Sequence, residues 1–165
     1  MKQLLGTVAC VVVLGASGQS IDLGSGISIT GVVVPFDSTK HKITRCDVLD
    51  SQPLPICLID GQPFFGSDLS PAYPYTEITF LEVVIKGLRI PLDVSGMFNT
   101  RGEDLHCGRF WIRGTEGGHE LKGIFSDGAG SYMALWKIFA GGSMRTLISN
   151  REEDFGRPWP DPAKR

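Results

Sequence analysis

Residues 77–94, EITFLEVVIKGLRIPLDV, decide the fold class of this chain. Glu77 to Lys86 is rich in β-branched and aromatic side chains, which favour a β-strand. From Leu88 to Val94 apolar residues alternate with polar ones, and a period of two is typical of a strand with one buried face. Lys86-Gly87 between the two runs predicts a tight hairpin turn. Pro91 has no N–H to donate, so the second strand is predicted to lie at a sheet edge.

Four further strands are predicted downstream, where short apolar runs are separated by glycine-rich breaks. The runs are RFWIR at 109–113, HELKGIF at 119–125, SYMALWKIF at 131–139 and MRTLIS at 144–149. The breaks are short, so consecutive strands should pair antiparallel in a C-terminal four-strand meander. Ser149 and Asn150 stand just ahead of acidic residues, which predicts a brief helical turn after the last strand.

Shorter strands are predicted upstream of residue 77. They span 27–34, 42–49 and 56–59. Residues 19–26 contain glycine and serine and are expected to be loose, and the segment 61–75 carries three prolines, which exclude a regular central strand. Eight or so short strands without recurring helical segments predict an all-β, mainly antiparallel domain, either a small β-sandwich or a barrel.

The N-terminus has the three parts of a cleavable secretory signal peptide. One positive charge at Lys2 precedes an apolar run over 4–14, and small residues at 16–18 lead into polar Gln19. The run is shorter than the roughly 20 residues that cross a membrane. We therefore predict cleavage after Gly18 and a secreted or periplasmic protein without a membrane span. A lipoprotein signal at Cys10 and a short buried helix are the alternatives.

The remaining chain is predicted to be a single β-rich domain over 19–155, followed by a Pro-rich extended tail over 156–165. The 21 glycines and 10 prolines of the whole chain fall between the apolar runs, which is typical of a turn-rich sheet protein. The formal net charge of the whole chain is −2. Such a balance argues against a nucleic-acid partner, for which a basic stripe is expected.

Loss of the signal peptide would also remove Cys10 and leave Cys46, Cys57 and Cys107. An oxidising compartment favours a disulfide. We predict the Cys46–Cys57 bond, because the two residues lie on apolar runs joined by a Pro-rich turn. Pairing of either residue with Cys107 is the alternative. The leftover thiol is either buried or part of an intermolecular bridge.

No pattern in the sequence predicts a catalytic residue, a metal site or a cofactor. His106 with the three cysteines has the residue types of a zinc site but not the short ligand spacing. His106 and Cys107 are neighbours in the chain, so they should point in opposite directions and not form a Cys–His dyad. No G-x-S-x-G elbow and no phosphate-binding loop is present in the sequence.

Two groups of residues are candidates for binding. The first is an aromatic loop flanked by prolines, with Phe64, Phe65, Tyr73 and Tyr75. It forms either an exposed apolar patch or a cover over the core. The second is the outward face of the 109–113 strand, with Arg109, Trp111 and Arg113. Tryptophan between arginines is the composition of a binding hot spot, and stacking of arginine on tryptophan for stability is the alternative.

We expect an exported, non-enzymatic protein that acts by binding another protein. A periplasmic immunity or inhibitor protein against a secreted toxin fits the size, the signal and the lack of a catalytic pattern. One alternative is a hydrolase of cell-envelope polymers that uses acids such as Asp104 or Asp127 at loop tips. Another is a carrier of a small ligand or lipid in a β-barrel, which requires an apolar cavity of roughly 300 Å³ or more.

Overall fold

The computed structural model describes residues 12–15, 18–46, 54–66, 72–100 and 104–156. The described chain forms three sheets of antiparallel strands and one short helix, α1 (Glu152–Phe155). The all-β prediction is therefore confirmed. In chain order the strands are β1 (Val12–Gly15), β2 (Gly18–Gly24), β3 (Ile27–Pro35), β4 (Ile43–Arg45), β5 (Ile56–Ile59), β6 (Gln62–Pro63), β7 (Thr76–Ile85), β8 (Leu88–Pro91), β9 (Phe110–Thr115), β10 (Gly118–Phe125), β11 (Tyr132–Phe139) and β12 (Gly142–Ser149).

The first sheet, which we call the N-terminal sheet, has the order β1-β2-β3-β7-β8. Its β7–β8 pair is the hairpin predicted from residues 77–94. Lys86 and Gly87 form the turn with φ of +50° and +85°, and Ile85 pairs with Leu88. Two positive φ values suit the right-handed twist of the flanking strands. β8 lies at the sheet edge, as Pro91 predicts.

The second sheet, which we call the meander sheet, has the order β12-β11-β10-β9. Each strand pairs antiparallel with its neighbour along the chain, so the predicted four-strand meander is confirmed. Leu121 on β10 faces Ile112 on one side and Trp136 on the other. The helical turn predicted after the last strand is also present, as α1.

The main core lies between the N-terminal and meander sheets, in a sandwich-like arrangement. Trp136 is fully buried, and its indole N–H donates to the carbonyl of Asp93 at 2.9 Å. The hydroxyl groups of Tyr132 and Thr100 are 2.8 Å apart, so these buried polar groups are paired. The fully buried side chains include Ile21, Ile29, Leu81 and Val83 from the N-terminal sheet and Leu121, Phe125, Tyr132 and Trp136 from the meander sheet.

The third sheet, which we call the disulfide sheet, has the order β4-β5-β6. The predicted Cys46–Cys57 disulfide is present, with 5.5 Å between the Cα atoms. The sheet covers a small second core, in which Ile56, Ile59 and Phe98 are buried. The strand predicted over 42–49 spans Ile43–Arg45 here, and residues 47–53 lie outside the described residues.

Residues 19–26 are not loose, contrary to the prediction. Residues 18–24 form β2, which pairs with β3, and Ile21 is fully buried in the main core. Ser20, Ile21, Asp22 and Leu23 alternate polar and apolar side chains, the pattern of a half-buried strand. This alternation is short and is flanked by glycines and serine, so the sequence did not predict the strand.

The predicted signal peptide is described only in part. Residues 1–11 and 16–17 lie outside the described residues, and β1 (Val12–Gly15) falls within the predicted signal. Cleavage after Gly18 stays a prediction. The tail predicted from residue 156 also lies outside the described residues beyond Gly156. Within the described ranges, no helix is long and apolar enough to cross a membrane.

The disulfide should stabilise the fold measurably. The two cysteines are 11 residues apart in the chain. In the chain-entropy model, closing a loop of this size lowers the entropy of the unfolded chain and contributes about 3 kcal/mol. The double variant Cys46→Ala/Cys57→Ala should therefore lose about that much free energy of unfolding in urea denaturation. An unchanged free energy of unfolding would contradict a stabilising role of the bond.

Candidate binding site

The predicted aromatic loop is divided between the two cores and the surface. Phe65 packs against the main core, with its ring centroid 6.1 Å from that of Tyr132. Phe64 packs against the second core. Tyr73 and Tyr75 are on the surface, with exposed fractions of 46% and 82%. The structure therefore brings the two tyrosines, and not the two phenylalanines, to solvent.

The two tyrosines are exposed on either side of a buried proline. Pro74 is buried, whereas Tyr73 before it and Tyr75 after it are exposed. Proline restricts its own φ and favours an extended residue before it, which suits this arrangement.

Tyr73 belongs to a row of four side chains that we call the aromatic stack. The guanidinium carbon of Arg45 lies 5.6 Å from the ring centroid of Tyr73. The Tyr73 ring is 6.2 Å from that of Phe36, and the Phe36 ring is 4.8 Å from that of His41. Such ring pairs contribute roughly 0.5–1.5 kcal/mol each beyond their buried area.

The ring of Phe98 meets the aromatic stack edge-on. Its centroid lies 5.6 Å from that of Phe36 and 6.2 Å from that of His41, at interplanar angles of 83°. Phe64 in turn contacts Phe98 edge-on at 6.0 Å. The inner half of the stack is thus continuous with the second core, so Tyr73 rests on packed side chains.

His41, at the inner end of the stack, lies between two carboxylates. Its Nδ1 is 2.7 Å from Oδ2 of Asp60, in the β5–β6 turn. Its Nε2 is 3.0 Å from Oε2 of Glu77 on β7, within ion-pair distance but without the alignment of a hydrogen bond. The side chains of His41 and Glu77 are each only 14% exposed. The ring therefore connects the disulfide sheet with the N-terminal sheet.

Asp60 is held in its charged form by these contacts. The hydrogen bond from His41 lowers the pKa of the Asp60 carboxyl below its ordinary value of 3.8, and the backbone N–H of Lys42 acts in the same direction. That N–H donates to Oδ1 of Asp60 at 2.8 Å. The carboxylate thus also connects the β5–β6 turn to the residue before β4.

Tyr75 differs from Tyr73, because its side chain projects into solvent while its backbone is held. Its N–H donates to Oδ1 of Asn99 at 2.7 Å, and its carbonyl accepts from the N–H of Phe36 at 2.9 Å. Asn99 has φ of +52° and donates through Nδ2 to the carbonyl of Gly66 at 2.6 Å. Asparagine tolerates this left-handed conformation better than most residues. Tyr75 is therefore an exposed aromatic residue on a fixed support.

The part of the second candidate group that lies on β9 has the predicted alternation. Phe110 is buried and Ile112 packs against the core, whereas Trp111 is 43% exposed. The two arginines are engaged elsewhere: Arg113 pairs with Glu120, and Arg109 lies 3.5 Å from the carboxylate of Asp104. The structure therefore places Trp111 and Arg113 on one face of β9. Arg109 lies in the single helical turn (Cys107–Arg109) before the strand, contrary to the predicted strand over 109–113, and both arginines are committed to ion pairs.

Lys122 contacts the Trp111 ring. Its ammonium lies 5.9 Å from the ring centroid and donates to the carbonyl of Phe155 at 2.8 Å. Burial lowers the pKa of Lys122, and the charge of nearby Asp154 opposes this shift. Lys122 thereby connects the end of α1 with Trp111, and both the predicted hot-spot role of Trp111 and its alternative, arginine stacking for stability, stay predictions.

The two acids considered for a hydrolase differ in burial, since Asp127 is exposed just before the turn Gly128–Gly130. Asp104 is buried and accepts a hydrogen bond from the N–H of Ser126 at 2.9 Å, so it does not lie at a loop tip. A cleft of about 480 Å³ lies beside the β9–β10 turn, and Arg113, Glu120 and Lys137 are among its lining residues. Among the described residues, no group of three histidine, cysteine or acidic side chains is placed to hold a metal ion.

The sequence alone did not point to the residues that support Tyr73 and Tyr75. Phe36, His41, Asp60, Glu77 and Asn99 come from separate turns and strands and carry no shared spacing. Pro74 between two tyrosines was the available signal that both rings are exposed. Comparisons with known proteins found no match for this chain among family models, curated proteins or solved structures.

The contact between Asp60 and His41 should make stability depend on pH. The folded pKa of Asp60 is lowered, so its contribution is present above about pH 4 and is lost as the pH falls through the folded value. Asp60→Asn should lower the free energy of unfolding at pH 6 by up to about 1 kcal/mol, the range for exposed pairs. The difference from the wild type in urea denaturation should shrink as the pH falls through the lowered folded pKa of Asp60.

A His41→Ala background supplies the control for this measurement. In this background, Asp60→Asn should lower the free energy of unfolding at pH 6 much less than it does in the wild type, because the main partner of the carboxylate is absent. An equal effect of Asp60→Asn with and without His41 would show that the two side chains do not interact energetically.

Proposed function

We propose that this protein is an exported, non-enzymatic binding protein whose partner is another protein. The observation that carries the proposal is Tyr75, an aromatic residue with 82% of its surface exposed and with both backbone polar groups hydrogen-bonded. Tyrosine supplies a large amphipathic contact area with few rotatable bonds, and it is enriched in binding hot spots. A held backbone lowers the entropy cost of binding further.

The neighbours of Tyr75 suit a protein partner. Tyr73 adds a half-exposed ring, and Arg45 lies over that ring at the outer end of the aromatic stack. Tyrosine and arginine are the residue types that interfaces favour. The disulfide sheet that carries Arg45 is fixed through Cys46–Cys57 and through the contacts of His41. We call the surface formed by Arg45, Tyr73 and Tyr75 the tyrosine surface.

The biological setting that we propose is a secreted or periplasmic one. The disulfide is compatible with an oxidising compartment. A periplasmic immunity or inhibitor protein against a secreted toxin is the form of binding protein that we propose. A rigid surface of exposed tyrosines supports that form, because inhibitory complexes depend on surfaces that change little on binding.

The proposal is tested by affinity capture, followed by measurement of Kd with the purified partner. The protein is expressed with its own N-terminus, recovered after export and used as bait against envelope and secreted fractions. Tyr75→Ala should raise the Kd about 30-fold, because loss of a hot-spot side chain costs about 2 kcal/mol of binding free energy.

Leu88→Ala is the matched control. Leu88 is 52% exposed and lies at the other end of the long strand β7, about 30 Å away. It should leave the Kd unchanged. If Trp111→Ala raises the Kd and Tyr75→Ala does not, the interface lies on β9 and not on the tyrosine surface. Unchanged Kd values for both Tyr75→Ala and Trp111→Ala would overturn the proposal.

A further inference from the structure

Removal of the predicted signal peptide would change one edge of the N-terminal sheet. β1 pairs with β2 from Val12–Ile21 to Gly15–Gly18, and all of β1 precedes the predicted cleavage site after Gly18. Cleavage there takes β1 away and leaves β2 as the edge strand. The main-chain groups of β2 that β1 satisfies in the uncleaved chain then have no partner within this sheet.

The pairing register shows which groups these are. Gly15 pairs with Gly18 at the end of the β1–β2 ladder, with two residues between them in the chain, and residues that flank so short a connection form a hydrogen-bonded pair. Val13–Ser20 is the next such pair. The backbone groups of successive strand residues point to opposite edges, so those of Ile21 face β3, where Ile21 pairs with Ile29. The N–H and C=O of Ser20 therefore point to the edge that cleavage opens, whereas those of Ile21 remain bonded inside the sheet.

The two edges of the N-terminal sheet differ in how they are protected. The β8 edge carries Pro91, whose carbonyl accepts a hydrogen bond from the hydroxyl of Ser143 at 2.5 Å. Arg145 lies 3.2 Å from Asp93 just beyond β8. By contrast, β2 (Gly18–Gly24) contains neither proline nor lysine, the residues that commonly prevent strand addition. The β2 edge is thus the one suited to accept another strand.

We propose that the β2 edge of the processed chain accepts a strand donated by the protein partner, paired antiparallel as β1 is. This inference rests on the proposed function and on cleavage after Gly18. The segment that occupies the edge before cleavage, VVLG, is apolar and β-branched, so the donated strand should have the same character. Main-chain hydrogen bonds supply the affinity in this mode of recognition.

The β2 edge and the tyrosine surface are close enough to belong to one interface. Gln19 of β2 pairs with Gly31 of β3, and Pro35 at the end of β3 pairs with Thr76, next to Tyr75. Four residues along a strand span about 13 Å, and the two steps from β2 to β7 add about 10 Å. An interface of ordinary size, about 800 Å² on each partner, covers such a distance.

A synthetic peptide tests the edge without the partner. The probe is VVVLGA, the sequence of residues 11–16, with a lysine added at each end for solubility. The protein is recovered after export, and sequencing of its N-terminus should show Gln19 as the first residue. On addition of the peptide, the amide of Ser20 should exchange its hydrogen about tenfold more slowly by NMR. The amide of Ile21 should be protected with or without peptide.

Two substitutions at one position separate the backbone contribution from the side-chain contribution. Ser20→Pro removes the N–H that faces the opened edge, and proline is tolerated there because that N–H has no partner within the sheet. It should abolish binding of the peptide, whereas Ser20→Ala keeps the N–H and should bind normally. If Ser20→Pro does not fold, a peptide N-methylated at the residue equivalent to Val13 replaces it and should not bind.

The same pair of variants is then measured against the partner identified with Tyr75→Ala. Weaker partner binding by Ser20→Pro but not by Ser20→Ala supports the inference. Unchanged exchange at Ser20 in the presence of peptide would overturn it and leave the tyrosine surface standing. A dimer of the processed chain that Ser20→Pro dissociates would also overturn it, because the donated strand would then come from a second copy. An exported chain that retains Met1 would overturn it as well.

Discussion

The candidate site depends on the contacts that the imidazole of His41 makes. It connects three separate parts of the chain: the β5–β6 turn through Asp60, strand β7 through Glu77, and the aromatic stack through Phe36. The disulfide holds β4 and β5 together but does not attach them to the sandwich. That attachment comes from His41, from the apolar contacts of Phe98 in the second core, and from the backbone hydrogen bonds that Phe65, just after β6, makes with Gly96 and Phe98. Among these, His41 is the contact that also supports the aromatic stack, at whose outer end Arg45 lies over Tyr73.

The sandwich follows from local sequence more directly than the site does. Period-two alternation and tight turns predicted the β7–β8 hairpin and the four-strand meander, because each depends on residues that are close in the chain. Strand β2 was missed, because its alternation covers only four residues between glycines and serine. The buried state of Ile21 is decided by the opposing sheet, which a short stretch of sequence does not reveal.

The surroundings of the candidate binding residues were likewise predicted only in part from the sequence. The composition of the aromatic loop pointed to a surface patch or a core cover, and the structure divides it, with Phe65 in the main core and Tyr75 in solvent. Which ring of the loop faces water depends on the backbone conformation of the loop and on the core residues against which it packs. The partners of His41 are 19 and 36 positions away in sequence, so no local pattern connects them. Likewise, the ion pairs of Arg109 and Arg113 depend on acids in other segments.

The most direct test of the role of His41 is native-state hydrogen exchange of the His41→Ala variant. The amides of Cys46 and Asp60, which donate to Pro55 and Lys42, report on the disulfide sheet, and amides in β10 report on the sandwich. Loss of the imidazole should speed exchange in the disulfide sheet and leave exchange in β10 unchanged, because only the smaller sheet loses one of its contacts with the sandwich. Equal acceleration at all these amides, or none in the disulfide sheet, would contradict the central role of His41.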